Sequence, residues 1–340
     1  MSHTATISGD NNLKRIQAIL IVTALIAGTP AFAHHSGAMF DQTTTVTLEG
    51  TVSQFNWANP HVYIFVETTD GSGQTVEWQL ETDSTAIMTR DGWTPTTLTP
   101  GARVSVRANP DRNANRPHAR LVSLVKEDGQ LFTRRSSGRA SSVRAESISG
   151  VWDAIRNNDP QRFTVGTPTE KGAAARAAYR DADYPAANCI PYATPHLMAL
   201  APYRFEFDVQ EDRVVMNAEF FNVVRTIYTD GRAHPEDGER SNQGHSVGRW
   251  EGDVLVVDTT LFNDDPAGNL QGIPSGALKH VVERFRLSED HTQLIIDYVV
   301  EDPEFLLEPT TGTSVWDYAP DGEMLPFGCD RENASFYFVE

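Results

Sequence analysis

Two histidines stand side by side at positions 34 and 35, directly behind Ala31-Phe32-Ala33. What they can do depends on the chain before them. Lys14 and Arg15, the apolar run IQAILIVTALIAG and the A-x-A pattern at Ala31 and Ala33 read as an export signal, residues 1–33. The run is shorter than the roughly 20 residues a transmembrane helix needs. Cleavage would make His34 the first residue. Its α-amine has a pKa of about 8, so at neutral pH a metal can displace its proton, which goes to solvent. The amine and the imidazole Nδ1 then chelate one ion, and a second imidazole completes a three-nitrogen set suited to Cu(II). His35 and His61 are the candidates for that third donor. His61 follows Pro60 in NWANPHVYIF, where the backbone should be extended; His118 in NRPHAR is less well placed. The alternative is a merely polar terminus, with His61 bonded to a loop carbonyl.

A second group lies far along the chain: His234 in DGRAHPEDGE, His245 in QGHSVGRW and His280 at the head of HVVERFR. On a strand, His280, Val282, Arg284 and Arg286 share one face, and Val281, Glu283 and Phe285 the other. A glutamate between two apolar neighbours needs a cationic partner, for which Arg225 and Arg249 are the candidates. Such a set could bind a polar ligand or work as general acid and base; it could equally be a structural network. Cys189 and Cys329 lie in no C-x-x-C motif. In an oxidising compartment they would pair. The bond would close a loop of about 140 residues and contribute on the order of 4–5 kcal/mol.

Other signals are absent. There is no G-x-S-x-G elbow, P-loop, G-x-G-x-x-G or H-E-x-x-H, and neither NPDRNANRP nor DPAGNLQG has the carboxylate spacing of a calcium loop. A formal net charge of −18 argues against nucleic acid and anionic membranes as partners, and no stretch beyond the signal is apolar enough to span a bilayer.

The elements that must carry these residues are mostly strands. Residues 34–126 alternate in the order β-β-β-α-β-β: TVTLEGTVSQFNW, HVYIFVET, QTVEWQLE, the short helix DSTAIMTRDG capped by Asp83 or Ser84, then RVSVRAN and ARLVSLVK. That is the order of a small five-stranded OB-like barrel. Residues 127–147 read as a Ser/Arg-rich linker whose Arg134, Arg135, Arg139 and Arg144 are solvated or face the acidic domains. Residues 148–340 offer one helix, PTEKGAAARAAYRDA, and then short strands joined by tight turns. The pattern predicts a larger antiparallel β-barrel or sandwich, a lipocalin-like meander.

AHHSGAMFD, VTLEGTVSQFNWANPHVYIFVE and RDGWTPTTLTPGARVSV resemble a family of secreted bacterial proteins known only as a domain of unknown function, with an Ala-His-His-Ser start and a W-x-N-P-H motif. RTIYTDGRAHP, GHSVGRWEGDVLVVDTTLFND and HVVERFR resemble a second uncharacterised bacterial segment. In GIPSGALKHVVERF this chain lacks a histidine that relatives carry beside the serine. The resemblance implies no reaction. The sequence therefore leaves three readings: a periplasmic two-domain binding protein holding Cu(II) at its mature terminus, an enzyme acting on a small organic molecule in the second barrel, or a structural component.

Overall fold

The computed structural model describes residues 39–134, 142–154, 165–180, 183–199 and 203–336, all inside one unit spanning residues 35–340. The first five strands are β1 (Val46–Asn56), β2 (Tyr63–Thr69), β3 (Thr75–Glu81), β4 (Arg103–Pro110) and β5 (His118–Lys126). They run in the order β3-β2-β1-β4-β5, and a parallel pairing of β3 with β5 closes the ring. With α1 (Thr85–Arg90) between β3 and β4, this is the OB-like barrel expected from the sequence. Inward residues such as Val52, Ile64, Leu80, Val106 and Leu121 form its core. Gly50 is required where β1 crosses β2, because a Cβ there would lie 2.4 Å from the Glu67 carbonyl. A sixth strand, β6 (Leu131–Thr133), pairs with β5 inside the stretch read as linker. Of the linker arginines expected to be solvated or to face the acidic domains, Arg134 reaches Asp83 at 3.2 Å and Arg144 is exposed, while Arg135 and Arg139 lie outside the described residues.

The second barrel is built from β7 (Gly150–Ala154), β8 (Arg204–Val209), β9 (Arg213–Ala218), β10 (Val223–Tyr228), β11 (His245–Glu251), β12 (Val254–Thr260), β13 (His280–Leu287), β14 (Gln293–Glu301) and β15 (Thr310–Tyr318). Each strand pairs with the next in sequence, and β15 returns to β7. Nine strands cannot alternate in direction all the way round a ring. One pair must be parallel, and it is β10 with β11. The barrel is filled rather than hollow: Trp152, Phe205, Phe207, Met216, Leu255, Phe285, Ile296 and Trp316 occupy its interior. The predicted helix appears as α2 (Glu170–Ala178), with Thr169 Oγ1 accepting from Gly172 N.

The barrels are clasped by the end of the chain. Cys189 and Cys329 form the expected disulfide, with Cα atoms 5.7 Å apart. Beyond it, Asp330 N donates to the Asn59 carbonyl, and Asn333 Nδ2 donates to the carbonyls of Ala58 and His61. Phe336, just past α3 (Arg331–Ser335), lies edge-on to Tyr63 and Phe65. The Trp57-to-His61 segment is thus the surface on which the C-terminal segment docks. Asn59 has a second task. Its Oδ1 accepts from Thr85 N and Oγ1 at the start of α1, where Ser84 makes no side-chain cap.

Candidate functional site

His34 and His35 lie outside the described residues. His61 Nδ1 donates to the Thr82 carbonyl at 3.0 Å, and the carboxylate of Glu81 stands 3.9 Å from the same nitrogen. The Glu81 side chain is 0 % exposed, and neither oxygen accepts a hydrogen bond among the described residues. His118 is buried, bonded to Asp111 at 3.2 Å and packed edge-on against Phe40, which is a structural role.

The histidines of the second barrel do meet. His245 on β11, Asp258 on β12, His280 on β13 and Glu301 on β14 project from the outer face of four adjacent strands. Their chain neighbours Ser246, Val257, Thr259, Val281 and Val300 are buried. His234 descends from the loop between β10 and β11. Gly244 makes the entry into β11 possible, since it has a φ of +66° and a Cβ there would lie 2.5 Å from the Thr260 carbonyl.

These five side chains form one continuous string. His245 Nδ1 lies 2.9 Å from His234 Nδ1, and His234 Nε2 lies 3.0 Å from Asp258 Oδ1. Asp258 Oδ2 is 2.9 Å from His280 Nε2, and His280 Nδ1 is 3.1 Å from Glu301 Oε2. Protons can be assigned along it by elimination. Burial pushes the Asp258 carboxyl up, but hydrogen bonds from His280 and His234 outweigh this and hold it below its ordinary value, so it is ionised and only accepts. His234 Nε2 therefore donates. When His234 is neutral its Nδ1 accepts from His245 Nδ1, and His245 Nε2 carries a lone pair. That nitrogen has no partner among the described residues. Set between the Asp258 and Glu301 carboxylates, His280 can donate from both nitrogens only as an imidazolium. Burial pulls its pKa down, yet the bonds to Asp258 and Glu301 raise it overall. His245 is shifted the other way, by burial first and then by the charges of His234 and Arg232. Its ring stacks on Tyr228 at 5.4 Å, and Arg232 covers Tyr228 at 3.8 Å.

The remaining predicted residues separate. Glu283 points inward, as its neighbours required, and pairs with Arg225; their side chains are 0 % and 1 % exposed. Arg225 also donates to Ser246 Oγ at 3.0 Å and Thr259 Oγ1 at 2.9 Å. Arg249 is not part of this set. It lies on the outer face and pairs with Glu251 at 2.8 Å, because odd-numbered positions of β11 face solvent. The barrel wall thus divides the six residues grouped from sequence: the Arg225–Glu283 pair inside, and the three histidines and Arg249 on the outer face, Arg249 apart from the histidines. Asp258 and Glu301 escaped notice. Each ends a run of core residues, VLVVD and IIDYVVE, in no recognisable motif. Only the register that sets them beside His280 reveals them.

Among the described residues no group of three or more His, Cys, Asp or Glu is arranged to hold a metal ion. The fold and this string define a protein of two β-barrels, the second bearing a hydrogen-bonded string of histidines and carboxylates on its wall. Residues 22–120 match the model of a family described as a family of unknown function (DUF6152), in agreement with the resemblance of the Ala-His-His-Ser and W-x-N-P-H segments. No curated protein matches the chain.

Proposed function

We propose that the second barrel is a catalytic module that performs general acid–base chemistry on a small polar molecule, with His245 Nε2 as the proton acceptor. The supporting observation is the 2.9 Å contact between the Nδ1 atoms of His245 and His234, backed by Asp258. A proton taken at His245 Nε2 can be matched by transfer of the Nδ1 proton to His234, whose new charge Asp258 stabilises. His245 is thus a base oriented by a second histidine and a carboxylate. His280 and Glu301 fix the other side of Asp258. The test is acylation by diethyl pyrocarbonate, which reports the nucleophilicity of each neutral imidazole without requiring a known substrate. Peptide mapping should find His245 modified faster than His61 and His291, with Asp258→Asn slowing it. Equal rates at all three would remove the proposal.

A second reading concerns the first barrel, and His61 favours it. Its bond to the Thr82 carbonyl makes Nε2 the coordinating nitrogen, and Glu81 supplies negative charge behind the ring, an arrangement common around metal-bound histidines. An exported chain beginning at His34 could add an amine and a second imidazole for Cu(II). The test is Cu(II) titration of signal-processed protein against His34→Ala, His61→Ala and a form with Ala inserted before His34. Equal affinity in all four would count against it.

A further inference from the structure

The segment RTIYTDGRAHP does more than deliver His234 to the relay that runs from His245 to Asp258. Tyr228 ends β10, and because Ile227 before it is buried, its ring lies on the outer face of the wall. The turn at Asp230-Gly231 then folds the chain back, with Gly231 at a φ of +82°. Arg232 follows directly. Asp230 Oδ1 accepts from its backbone N at 3.2 Å and from its Nε at 2.9 Å. The guanidinium held in this way lies 3.8 Å from the centre of the Tyr228 ring. Arg213, opposite Tyr228 in the register of β9 with β10, brings a second guanidinium to 5.9 Å from the same ring.

Tyr228 is also the platform of the base. The His245 ring stacks on it, with centroids 5.4 Å apart and planes 25° apart. His245 Nδ1 is tied to His234, whose ring stands at 73° to it. One contact fixes the plane of the imidazole, and the other fixes its rotation within that plane. A base that must present one nitrogen in one direction needs both restraints. The groups that face His245 are His234 from the loop, Tyr228 from β10 and Arg232 on Tyr228; Asp258 on β12 touches it only through His234. Burial first, then the charges of His234 and Arg232, hold the imidazole below its ordinary pKa. Protonation would set a further cation against an aromatic ring that already carries one.

We propose that Tyr228 and Arg232 are positioning residues for His245: the tyrosine sets the plane of the imidazole, and the guanidinium seated on that tyrosine disfavours a second positive charge beside it. The ring then stands neutral until a substrate offers a proton. This inference rests on the reading of His245 as a base, and it adds the means by which that base is kept free at neutral pH. It also gives one purpose to Tyr228, Asp230, Gly231, Arg232 and His234, which are the platform, the anchor, the turn, the charge and the relay partner.

The experiment is an NMR pH titration of the histidine side chains in the full protein, at low and at high salt. Arg232→Gln should raise the proton affinity of His245 about threefold, as the loss of one partly screened charge requires. Arg232→Lys keeps the charge and should restore most of the wild-type value. High salt should move the wild-type midpoint towards that of Arg232→Gln and leave the variant's own midpoint nearly still. Tyr228→Phe keeps the platform and should change little. Tyr228→Leu removes it, and His245 should lose its lead over His61 and His291 in acylation by diethyl pyrocarbonate. Arg249→Gln, four residues further along β11, should change nothing. An unchanged His245 midpoint in Arg232→Gln overturns the proposal. So does an equal rise in Arg232→Lys, which would show that charge is not the agent, or in Arg249→Gln, which would mark a general surface effect. Slow acylation of His245 in the wild-type protein would defeat the base reading alone, because the titration midpoints are measured independently of it.

Discussion

A buried charge shows its importance when its partner is removed. Glu283→Gln leaves Arg225 uncompensated inside the barrel and should destabilise the fold by about 3–5 kcal/mol, read by denaturant unfolding. Replacing both together, Arg225→Met with Glu283→Leu, should cost far less, because desolvation of the pair largely cancels its attraction. The relay histidines make a different prediction. The raised pKa of His280 means its contribution is fully present below the ordinary histidine value and is lost as pH rises through its own higher one. His245 is depressed, so its contribution holds above the ordinary value and is lost as pH falls through its own lower one. Melting curves across this range should fall off on both sides. His280→Asn should flatten the alkaline limb and leave the acid limb. At this scale the sequence was partly legible. A glutamate flanked by Val281 and Phe285 announced a buried ion pair and Arg225 as a partner. The relay was not legible as a unit, because which face a histidine shares with Asp258 depends on strand register between segments that carry no mutual signal.

The elements read most clearly were those with strict alternation. QTVEWQLE became β3 and TQLIIDYVVE became β14, since a period of two leaves one face for the core. What alternation could not convey is how ends are held. Asp83 or Ser84 was expected to cap α1; Ser84 does take the N-cap position, but its side chain makes no cap bond and Asn59, from a distant loop, accepts from Thr85 N instead. The W-x-N-P-H segment looked like a metal-ligand loop, and its carbonyls are also the acceptors that dock the C-terminal segment. Asn333→Ala should therefore loosen the clasp, costing roughly 1–2 kcal/mol for the lost acceptor contacts. Limited proteolysis should then cut near residue 330 sooner than in the wild type. The disulfide fastens the same segment. Its 140-residue separation predicts a loss of about 4–5 kcal/mol on replacing both cysteines with serine, measured by thermal unfolding.

At the scale of the whole molecule, export and geometry make separate demands. Intact mass of protein recovered from an exporting host should correspond to a chain starting at His34; a retained leader would end the Cu(II) reading and leave the second barrel untouched. A small OB-like barrel followed by a larger barrel or sandwich was legible from strand order and turn spacing, but that the larger sheet closes, and how, was not. Its parallel joint holds only Ile227 opposite Ser246 and Tyr228 opposite Val247. Arg225 sits beside that joint and reaches from β10 to Ser246 on β11, Thr259 on β12 and Glu283 on β13. The ion pair is thus a rivet across the shortest joint of the wall. Amide protons beside the joint should be the first strand amides to exchange with heavy water, and the double change Arg225→Met with Glu283→Leu, which strands no buried charge, should speed them while leaving β14 and β15 slow. The ring would then breathe at one address, beside His245, and the relay would be the part of the molecule that feels it.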